Sequence, residues 1–355
     1  MMLKIGVPKE IKPMEGRVSL VPSAVAEIVH NRGLVYVEKG AGEQSGFDDQ
    51  QYRQAGATVV DSADALFAAA EMIVKVKEPV VDDLKRLRSD HLLFCFLHLA
   101  ANKTLLEELK KLGLLAIAFE TVESKGSLPL LMPMSEVAGR VAIQSAVHWL
   151  HASMGGRGIL LGGATATERG QVTVLGAGTA GTFAIKEAAA MGANITVFDL
   201  DPDALRRVRE LGPNITGLYS SQGDIERVLK TTDLLIGAVL VTGAAAPKLV
   251  TRDMVKGMPE GSVIVDIAID QGGCVETIRP TDYRQPTYVE EGVVHMGVTN
   301  LPGAVPRTSS EALSAAILPY VVQLAQGKLK ISPALKAGIN VENGKVVHPA
   351  LISSA

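Results

Sequence analysis

Three glycines, Gly176, Gly178 and Gly181, form the pattern G-x-G-x-x-G between two segments of different character. The mostly apolar segment Gln171–Leu175 predicts a short strand, and the alanine-rich segment Thr179–Met191 predicts a helix. In such a turn the first glycine permits the tight bend, the second lets a phosphate approach the backbone, and the third lets the helix pack closely on the strand. The free N–H groups at the helix N-terminus would bind the pyrophosphate of a dinucleotide.

A second predicted strand, Ile195–Phe198, completes this unit and is followed by Asp199. A carboxylate at this position accepts hydrogen bonds from the hydroxyls of the adenosine ribose and repels a 2′-phosphate. The glycine pattern alone could arise by chance in a chain with 35 glycines. Strand, turn, helix, second strand and acid together favour a dinucleotide site, and the acid predicts NAD rather than NADP as the cofactor.

Four further polar side chains stand at the predicted carboxyl ends of strands, where ligands bind in doubly wound sheets. Arg17 follows the first strand, Lys77 and His98 end two later ones, and Asp270 ends the segment SVIVDIAID. Arginine and lysine provide two cations for a carboxylate. Histidine suits proton transfer at neutral pH, and a carboxylate can orient water or an amine. With NAD, this set indicates oxidation of a small carboxylic acid that carries an α-amino or α-hydroxyl group.

Some of these residues also have a plainer interpretation. Arg17 could be an exposed loop charge, and Glu15 beside it could orient the arginine or merely lie in the loop. His98 lies in an apolar run, where a histidine is more often buried with its hydrogen bonds satisfied. The sequence alone leaves these alternatives open.

Two pairs of like residues also leave a choice. Lys75 and Lys77 would point to the same face of a strand, and periodicity does not say which of them is solvated. Asp266 lies four residues before Asp270 in the same predicted strand, and its deeper position favours a structural role. Cys274 lies near this segment without an evident partner base, which favours a spectator thiol.

Strands and helices alternate along both halves of the chain. The strands predicted outside the glycine-containing unit are Leu3–Val7, Leu34–Val37, Thr58–Val60, Met72–Val76, Leu92–Leu97, Leu114–Phe119, Leu234–Leu240 and Val263–Ile269. Such alternation is typical of a parallel sheet with helices on both faces. The predicted fold class is therefore α/β, with two doubly wound Rossmann-like domains, parallel sheets and an interdomain cleft.

The predicted domains are a substrate (catalytic) domain, residues 1–130 plus 305–355, and an NAD-binding Rossmann domain, residues 131–304. A long helical stretch, Ser135–His151, would link them. A second helix, Ser310–Gln326, would return to pack on the first domain. The glycine-rich segment Gly155–Gly163 predicts a hairpin.

The composition excludes several classes of function. The 355 residues carry a net charge of −3 with both signs spread along the chain, so no basic stripe indicates nucleic acid binding. No apolar run reaches the ~18 residues of a membrane span, and the N-terminus lacks a signal-peptide profile. The two cysteines are far apart in sequence. A cytoplasmic enzyme with reduced thiols is the expectation.

The chain resembles the alanine dehydrogenase family over essentially its whole length. The stretches that carry the resemblance are GVPKE (Gly6–Glu10), GRVSLVP (Gly16–Pro22), VKVKEP (Val74–Pro79), FLHLAA (Phe96–Ala101), PMSEVAGR (Pro133–Arg140), GGRGILLGG (Gly155–Gly163), LGAGTAG (Leu175–Gly181), LIGAVLV (Leu235–Val241), VDIAIDQGGC (Val265–Cys274) and PGAVPRTSS (Pro302–Ser310). These stretches are long and ordered along the chain, and together they are specific.

The resemblance implies NAD-dependent oxidative deamination of L-alanine to pyruvate and ammonium, and the reverse reaction. It implies that Arg17 and Lys77 bind the substrate carboxylate, and it selects Lys77 rather than Lys75. It implies that His98 is the general acid and base, and that Asp270 assists proton transfer and positions water or ammonia. It also implies a homohexamer, and no metal ion is expected.

The cofactor contacts that the resemblance implies all lie in the predicted second domain. Besides the three glycines they are Ser135, Thr179, Asp199, Ser220, Val239, Leu240, Ile267, Asp270, Arg279, Val298, Asn300 and Leu301. One departure appears, because Ala204 stands where the family often has Lys or Arg five residues after the ribose acid. Arg206 or Arg207 could substitute for that contact.

Three other functions compete with this interpretation. The NAD(H)-binding component of a proton-translocating transhydrogenase shares the fold but lacks the pair that corresponds to Lys77 and His98. A 2-hydroxy-acid dehydrogenase would share the carboxylate-binding logic, but its motifs are absent. A non-catalytic NAD-binding homologue would be expected to have lost one of the four polar residues at the strand ends, and none is lost.

Overall fold

The computed structural model of the protein describes residues 3–239 and 246–352. This part of the chain divides into two compact units. Unit 1 comprises residues 3–134 and 305–352, and unit 2 comprises residues 135–239 and 246–304. Unit 1 is therefore built from two separated stretches of sequence, whereas unit 2 comes from the stretch between them.

The first stretch of unit 1 repeats a strand–helix pattern. Its strands are β1 (Lys4–Val7), β2 (Leu34–Glu38), β3 (Thr58–Val60), β4 (Met72–Val74), β5 (Leu92–Cys95) and β6 (Leu115–Ala118). Its helices are α1 (Pro22–His30), α2 (Asp49–Gln54), α3 (Ala63–Ala69), α4 (Val81–Leu84) and α5 (Lys103–Leu112), with short 3-10 helices at Glu43–Ser45 and Phe119–Thr121. The helix α6 (Met132–Trp149) begins in unit 1 and continues into unit 2.

Local sequence explains how these elements begin and end. The helix α5 begins after Asn102, whose side chain accepts a hydrogen bond from Leu105 N, and ends at Gly113 with φ +72°. It buries Leu105, Leu106 and Leu109 on one face. The strands β4 and β5 are buried at every position, as expected for a parallel sheet that is covered on both faces.

Unit 2 repeats the same pattern. Its strands are β7 (Gln171–Leu175), β8 (Asn194–Asp199), β9 (Ile215–Tyr219), β10 (Leu234–Gly237), β11 (Val263–Asp266), β12 (Thr287–Glu290) and β13 (Val293–Met296). Its helices are α7 (Thr179–Ala190), α8 (Pro202–Arg209), α9 (Gln222–Leu229) and α10 (Arg252–Lys256), with 3-10 helices at Ala152–Met154, Ile267–Gln271 and Leu301–Ala304.

The strand order of the unit 2 sheet is β12-β13-β11-β10-β7-β8-β9. The strands β7 to β11 and β13 are mutually parallel, and β12 pairs antiparallel with β13 at the edge. The chain thus runs outward from β7 in one direction through β8 and β9, and in the other through β10, β11 and β13. This is the order of a dinucleotide-binding sheet, and its switch point lies between β7 and β10.

The second stretch of unit 1 adds elements to the first sheet. They are α11 (Pro306–Ala325), a 3-10 helix at Lys328–Ile331, α12 (Pro333–Ala337), β14 (Ile339–Glu342), β15 (Lys345–Val346) and α13 (Pro349–Ile352). The resulting strand order is β15-β14-β6-β5-β4-β1-β2-β3. The strands β1 to β6 are parallel, whereas β14 pairs antiparallel with β6 and β15 with β14.

The structure confirms the predicted α/β class and corrects its details. The two sheets are mixed rather than wholly parallel, because β14 and β15 at one edge of the first sheet and β12 at one edge of the second pair antiparallel with their neighbours. The predicted hairpin at Gly155–Gly163 is wrong: these residues form turns without strands, since Gly155, Gly158 and Gly163 have φ of +85°, +72° and +64°. None of the helices in the described ranges is long and apolar enough to cross a membrane.

Candidate active site

The predicted substrate residues of unit 1 all follow carboxyl ends of neighbouring strands. Arg17 lies in the loop after β1, Lys77 follows β4, and His98 follows β5. Glu120 follows β6, the next strand of the same sheet. Because these strands are parallel, their carboxyl ends meet at one edge, and four polar side chains converge there.

Arg17 forms a buried ion pair with Glu15, so the interpretation of Arg17 as an exposed loop charge is wrong. The Arg17 Nε lies 2.7 Å from Glu15 Oε1, and Arg17 Nη2 also donates to Glu15 Oε2. Both side chains are almost completely buried. Burial raises the pKa of Glu15, but hydrogen bonds and charge from Arg17, together with the nearby charge of Lys77, hold that pKa below its usual value. Glu15 therefore orients the guanidinium as a carboxylate.

The loop that carries Arg17 is fixed by the helix that returns from the end of the chain. Ser310 Oγ and Ser314 Oγ on α11 accept hydrogen bonds from Val18 N at 2.9 Å and Val21 N at 3.0 Å. Ser45 adds a second contact, because its hydroxyl donates to Gly16 O at 2.7 Å and lies 2.8 Å from Ser310 Oγ. Backbone groups that would otherwise lack partners in a buried loop are satisfied in this way.

The structure separates the two lysines that the sequence could not distinguish. Lys75 is only 1% exposed, and its ammonium lies 2.5 Å from Asp83 Oδ2. Lys77 is half-buried, and its positive charge helps to lower the pKa of Glu15 and of Glu78. Neither residue belongs to β4, which ends at Val74 rather than at Val76 as predicted. Lys75 is thus committed to a buried pair, and Lys77 reaches the neighbourhood of Arg17.

His98 is exposed rather than a satisfied core histidine. Its ring stacks on Phe96 with centroids 5.7 Å apart and an interplanar angle of 5°. Its backbone has φ +50°, in the left-handed region, which costs about 1 kcal/mol for a residue with a Cβ. Backbone strain of this kind concentrates at functional sites. The strand β5 ends at Cys95, so His98 lies three residues beyond the strand instead of at its end.

Glu120, which was not predicted from the sequence, holds the backbone at His98 in this conformation. Its Oε1 accepts the N–H of His98 at 2.6 Å, and both of its oxygens lie 3.2 Å from the nitrogen of Leu97. The sequence does carry a signal for it, because Glu120 directly follows the predicted strand Leu114–Phe119. In the first domain the strand-end rule led only to basic residues, and this acid was left out.

The glycine turn of unit 2 has the geometry that its sequence predicts. Gly176 has φ +99°, where side chains with a Cβ are strained. A Cβ on Gly181 would lie 1.9 Å from Gly176 O, whereas a Cβ on Gly178 would meet nothing within 4 Å. Gly178 is the N-cap of α7. Open space in front of a helix N-terminus leaves room for a pyrophosphate, so the turn fits a dinucleotide.

Asp199 lies at the end of β8 beside this turn. Its Oδ2 accepts the N–H of Ala177 at 2.6 Å, and its Oδ1 accepts the N–H of Asp201 at 2.8 Å. The N–H of Ser220, which follows β9, donates to Asp199 O at 3.1 Å. The acid that is predicted to bind the ribose is therefore held against the glycine turn by backbone groups, and the structure brings Ser220 next to it.

Most of the other residues predicted to contact the cofactor also follow strands of this sheet. Val239 follows β10, Ile267 follows β11, and Val298, Asn300 and Leu301 follow β13. Leu240 lies outside the described residues. Ser135 and Thr179 lie instead near the starts of helices α6 and α7.

The structure keeps Asp266 in its strand with a structural role, as predicted, but places Asp270 beyond the strand. The strand β11 ends at Asp266, and Asp270 belongs to the 3-10 helix that follows, where it is exposed. Asp266 is completely buried and accepts hydrogen bonds from the N–H groups of Ala268 at 3.0 Å and Cys274 at 2.7 Å. Asp266 thus serves the loop structure, and Asp270 is the exposed carboxylate of the two. Burial raises the pKa of the Cys274 thiol, which opposes a nucleophilic role.

Three arginines bear on the predicted cofactor contacts. Arg279 is exposed, and its guanidinium lies 4.1 Å from the centroid of the Tyr288 ring. It lines an open cavity of about 340 Å³ together with Tyr288. Arg206 and Arg207 on α8 are also exposed and pair with Asp203 and Asp201. Ala204, which stands at the family's basic position, is buried.

No group of three or more His, Cys, Asp or Glu side chains within residues 3–239 and 246–352 is arranged to hold a metal ion.

Two family models match the chain and together cover almost all of it. The model described as "Alanine dehydrogenase/PNT, N-terminal domain" matches residues 6–138, and "Alanine dehydrogenase/PNT, C-terminal domain" matches residues 142–349. The chain belongs to the alanine dehydrogenase/PNT family. The resemblance that the sequence motifs indicated is thereby confirmed.

Individual members of this family are similar to this chain over nearly its whole length. The alanine dehydrogenase of Bacillus subtilis is 48% identical over 353 residues, which cover 98% of this chain and 93% of that protein. A solved structure titled L-alanine dehydrogenase is 49% identical, covers 99% of both chains and has a TM-score of 0.95. A transhydrogenase from Sinorhizobium meliloti is 27% identical, with a TM-score of 0.84 and coverage of 98% and 99%.

Proposed function

We propose that this protein is an L-alanine dehydrogenase, which oxidises L-alanine to pyruvate and ammonium with NAD⁺ and catalyses the reverse reductive amination. The observation that carries the proposal is an identity of 48–49% over nearly the whole chain to proteins with that name. The reaction balances as L-alanine, NAD⁺ and water giving pyruvate, ammonium, NADH and a proton.

Arg17 and Lys77 bind the carboxylate of the substrate in this proposal. Two cations converge at the edge of the unit 1 sheet, and Glu15 fixes the plane of the guanidinium before any ligand arrives. A pre-oriented arginine loses little freedom when it binds, and it can bind a carboxylate with two hydrogen bonds. These contacts hold the α-carbon in a defined position, as direct hydride transfer requires.

In this proposal His98 transfers protons to and from the nitrogen or oxygen atom that is bonded to the α-carbon. Its imidazole is exposed and its backbone is fixed by Glu120, so the ring can exchange protons with substrate and solvent. It takes a proton from the attacking water and gives one to the departing amine. Asp270, exposed on the short helix after β11, orients the water or ammonia.

The cofactor in this proposal is NAD, which supplies the hydride acceptor when bound. The glycine turn and the N-terminus of α7 would hold its pyrophosphate, and Asp199 would hold its adenosine ribose. A carboxylate at that position excludes a 2′-phosphate by charge repulsion, so NADP is disfavoured. The homohexameric assembly, which the resemblance implies, and the cytoplasmic location stay predictions.

The reverse reaction tests this function against its nearest rivals. We expect NADH to be consumed only when pyruvate and ammonium are both present, with L-alanine as the product. Consumption with pyruvate alone would mean that the protein is a 2-hydroxy-acid dehydrogenase. NADH binding without consumption under either condition would indicate a transhydrogenase component or a non-catalytic homologue.

Two glycine substitutions separate cofactor binding from folding. The Gly178→Ala variant should fold with its unfolding free energy within about 0.5 kcal/mol of the wild type, because the new Cβ meets nothing within 4 Å. It should nevertheless bind NADH at least about tenfold more weakly, a loss of ~1.4 kcal/mol, because the methyl group occupies the path of the pyrophosphate. Fluorescence titration with NADH and thermal unfolding would measure the two effects.

Gly181→Ala is the matched control for that experiment. Its Cβ would lie 1.9 Å from Gly176 O, so the turn must shift, and a loss of stability of about 2 kcal/mol or more is expected. Unchanged NADH affinity in the Gly178→Ala variant would contradict the assignment of this turn as the pyrophosphate site.

A further inference from the structure

Three charged side chains form a buried cluster beneath the edge that carries Arg17 and Lys77. Glu10, Lys75 and Asp83 are 6%, 1% and 3% exposed. The Lys75 ammonium lies 2.5 Å from Asp83 Oδ2 and 3.6 Å from Glu10 Oε2. Burial disfavours the ammonium, yet the charges of Glu10 and Asp83 raise the pKa of Lys75, so that it stays charged.

Glu10 completes a hydrogen-bond ladder that the neighbouring strand leaves unfinished. The strand β1 ends at Val7, so beyond that residue it offers no strand carbonyl to the chain that continues from β4. The carboxylate of Glu10 takes this place. Its Oε1 accepts the N–H of Val76 at 2.6 Å and the N–H of Lys77 at 3.3 Å.

The opposite side of the same segment is held by β5 and its continuation. Lys75 N donates to Phe94 O at 3.2 Å, and Phe96 N donates to Val76 O at 3.1 Å. The backbone that leads into Lys77 is therefore bound from both sides, by strand carbonyl and amide groups on one side and by one side chain on the other.

Asp83 ties the segment after Lys77 to the same cluster. Its Oδ2 accepts both the Lys75 ammonium and the N–H of Val80 at 3.1 Å. Lys77 lies between Lys75 and Val80 in the chain, so the residues on both sides of it are anchored to one buried group of charges.

Such a cluster is not an efficient way to stabilise a fold. Burying two carboxylates and an ammonium costs desolvation energy, and well-packed apolar residues of similar volume are often as stabilising or more so. What the cluster provides is fixed geometry. We propose that Glu10 is a positioning residue, which sets the backbone of the substrate-binding Lys77, and that Lys75 and Asp83 hold Glu10 and this segment in register.

This inference rests on the proposed function, in which Lys77 binds the substrate carboxylate. A matched pair of variants isolates what Glu10 does. Glu10→Gln keeps the reach and an oxygen that can accept both N–H groups but removes the charge. Glu10→Asp keeps the charge but draws the carboxylate back by one methylene, so that it no longer reaches Val76 and Lys77.

The expected result is a split between substrate and cofactor. Glu10→Asp should raise KM for L-alanine and for pyruvate at least about fivefold, while KM for NAD⁺ and NADH stays within twofold of the wild type. Glu10→Gln should keep all four KM values within about twofold. A merely structural Glu10 would instead lower the unfolding temperature of Glu10→Asp without moving KM for L-alanine, and that result would overturn the proposal.

A double-mutant cycle with Lys77→Met shows whether Glu10 acts through Lys77. In the Lys77→Met background, Glu10→Asp should have no further effect on KM for L-alanine, because the group that it positions is gone. Additive effects would overturn the proposal. If Glu10→Asp fails to fold, the Glu10→Gln variant can still contradict the proposal. Its side-chain oxygen can accept the N–H groups of Val76 and Lys77, so its KM for L-alanine should stay low. A rise as large as that of Lys77→Met would show that accepting these hydrogen bonds does not position Lys77.

The single variant Lys77→Met keeps this inference separate from the function on which it rests. If its KM for L-alanine is close to that of the wild type, the assigned role of Lys77 in the proposed function fails. If it raises that KM and Glu10→Asp does not, the inference about Glu10 fails alone.

Discussion

Replacing His98 with alanine should lower kcat for L-alanine oxidation by about 10²–10⁴-fold, the usual contribution of a general acid–base residue. The side chain is exposed and its ring contacts Phe96 by stacking, so its removal should leave the fold intact. KM for NAD⁺ should change little, because the residues proposed to hold the cofactor lie on unit 2. Steady-state kinetics and thermal unfolding of the same preparation would check these expectations.

The backbone conformation at His98 determines which second substitution is a suitable control for His98→Ala. A residue with φ +50° is strained when it carries a Cβ, and asparagine tolerates this region best among residues other than glycine. His98→Asn should therefore keep the local conformation and lose kcat to the same extent as His98→Ala. Near-normal kcat in either folded variant would remove His98 from the mechanism.

Replacing Arg17 with methionine should destabilise the protein by about 3–5 kcal/mol, the usual cost of removing one partner of a buried ion pair. Glu15 would be left as an almost fully buried carboxylate without the guanidinium that binds both of its oxygens. KM for L-alanine should rise by two orders of magnitude or more, because a charge-assisted contact to the substrate carboxylate, worth ~3 kcal/mol, is lost. Denaturant unfolding and steady-state kinetics measure the two effects.

The double variant Arg17→Met/Glu15→Gln separates these two effects. Without a buried charge to compensate, it should recover most of the lost stability, whereas KM for L-alanine should stay as high as in Arg17→Met. Recovery of both would mean that Arg17 serves the fold and does not bind substrate.

The contribution of Glu15 to the pH dependence of stability should change sign in the Arg17→Met variant. In the wild type the folded pKa of Glu15 lies below its usual value of 4.5. Its contribution to stability is therefore present above pH 4.5 and is lost as the pH falls through the folded pKa. Without Arg17, burial raises that pKa above 4.5, so acidification from neutral pH should reduce the deficit of Arg17→Met relative to the wild type. A deficit that grows on acidification would contradict the pairing.

The repeating part of the fold followed from the sequence, and the edges of the sheets did not. Alternating strands and helices made both units recognisable, because buried parallel strands are continuous apolar runs. The hairpin of β14 and β15 was missed, although Asn343-Gly344 between them is a strong turn signal with φ of +50° and +75°. The flanking strands are only four and two residues long, and so carry too little periodicity to be recognised.

Predicting side chains at the site required more than local sequence. The strand-end rule led to Arg17, Lys77 and His98, each of which follows a strand. The partners Glu15 and Glu10 could not be assigned, because pairing depends on how a loop folds back and on which strands are neighbours. Glu10 is 66 residues from Val76 and reaches it only because β1 and β4 are adjacent in the sheet.

The most direct measurement is the formation of NADH at 340 nm with purified protein, L-alanine and NAD⁺ at alkaline pH. D-Alanine, L-lactate and NADP⁺ serve as controls, since they test the stereochemistry, the amine and the role of Asp199. We expect turnover with L-alanine and NAD⁺ only. Turnover with L-lactate instead, or no turnover although NADH binds, would contradict the proposed function.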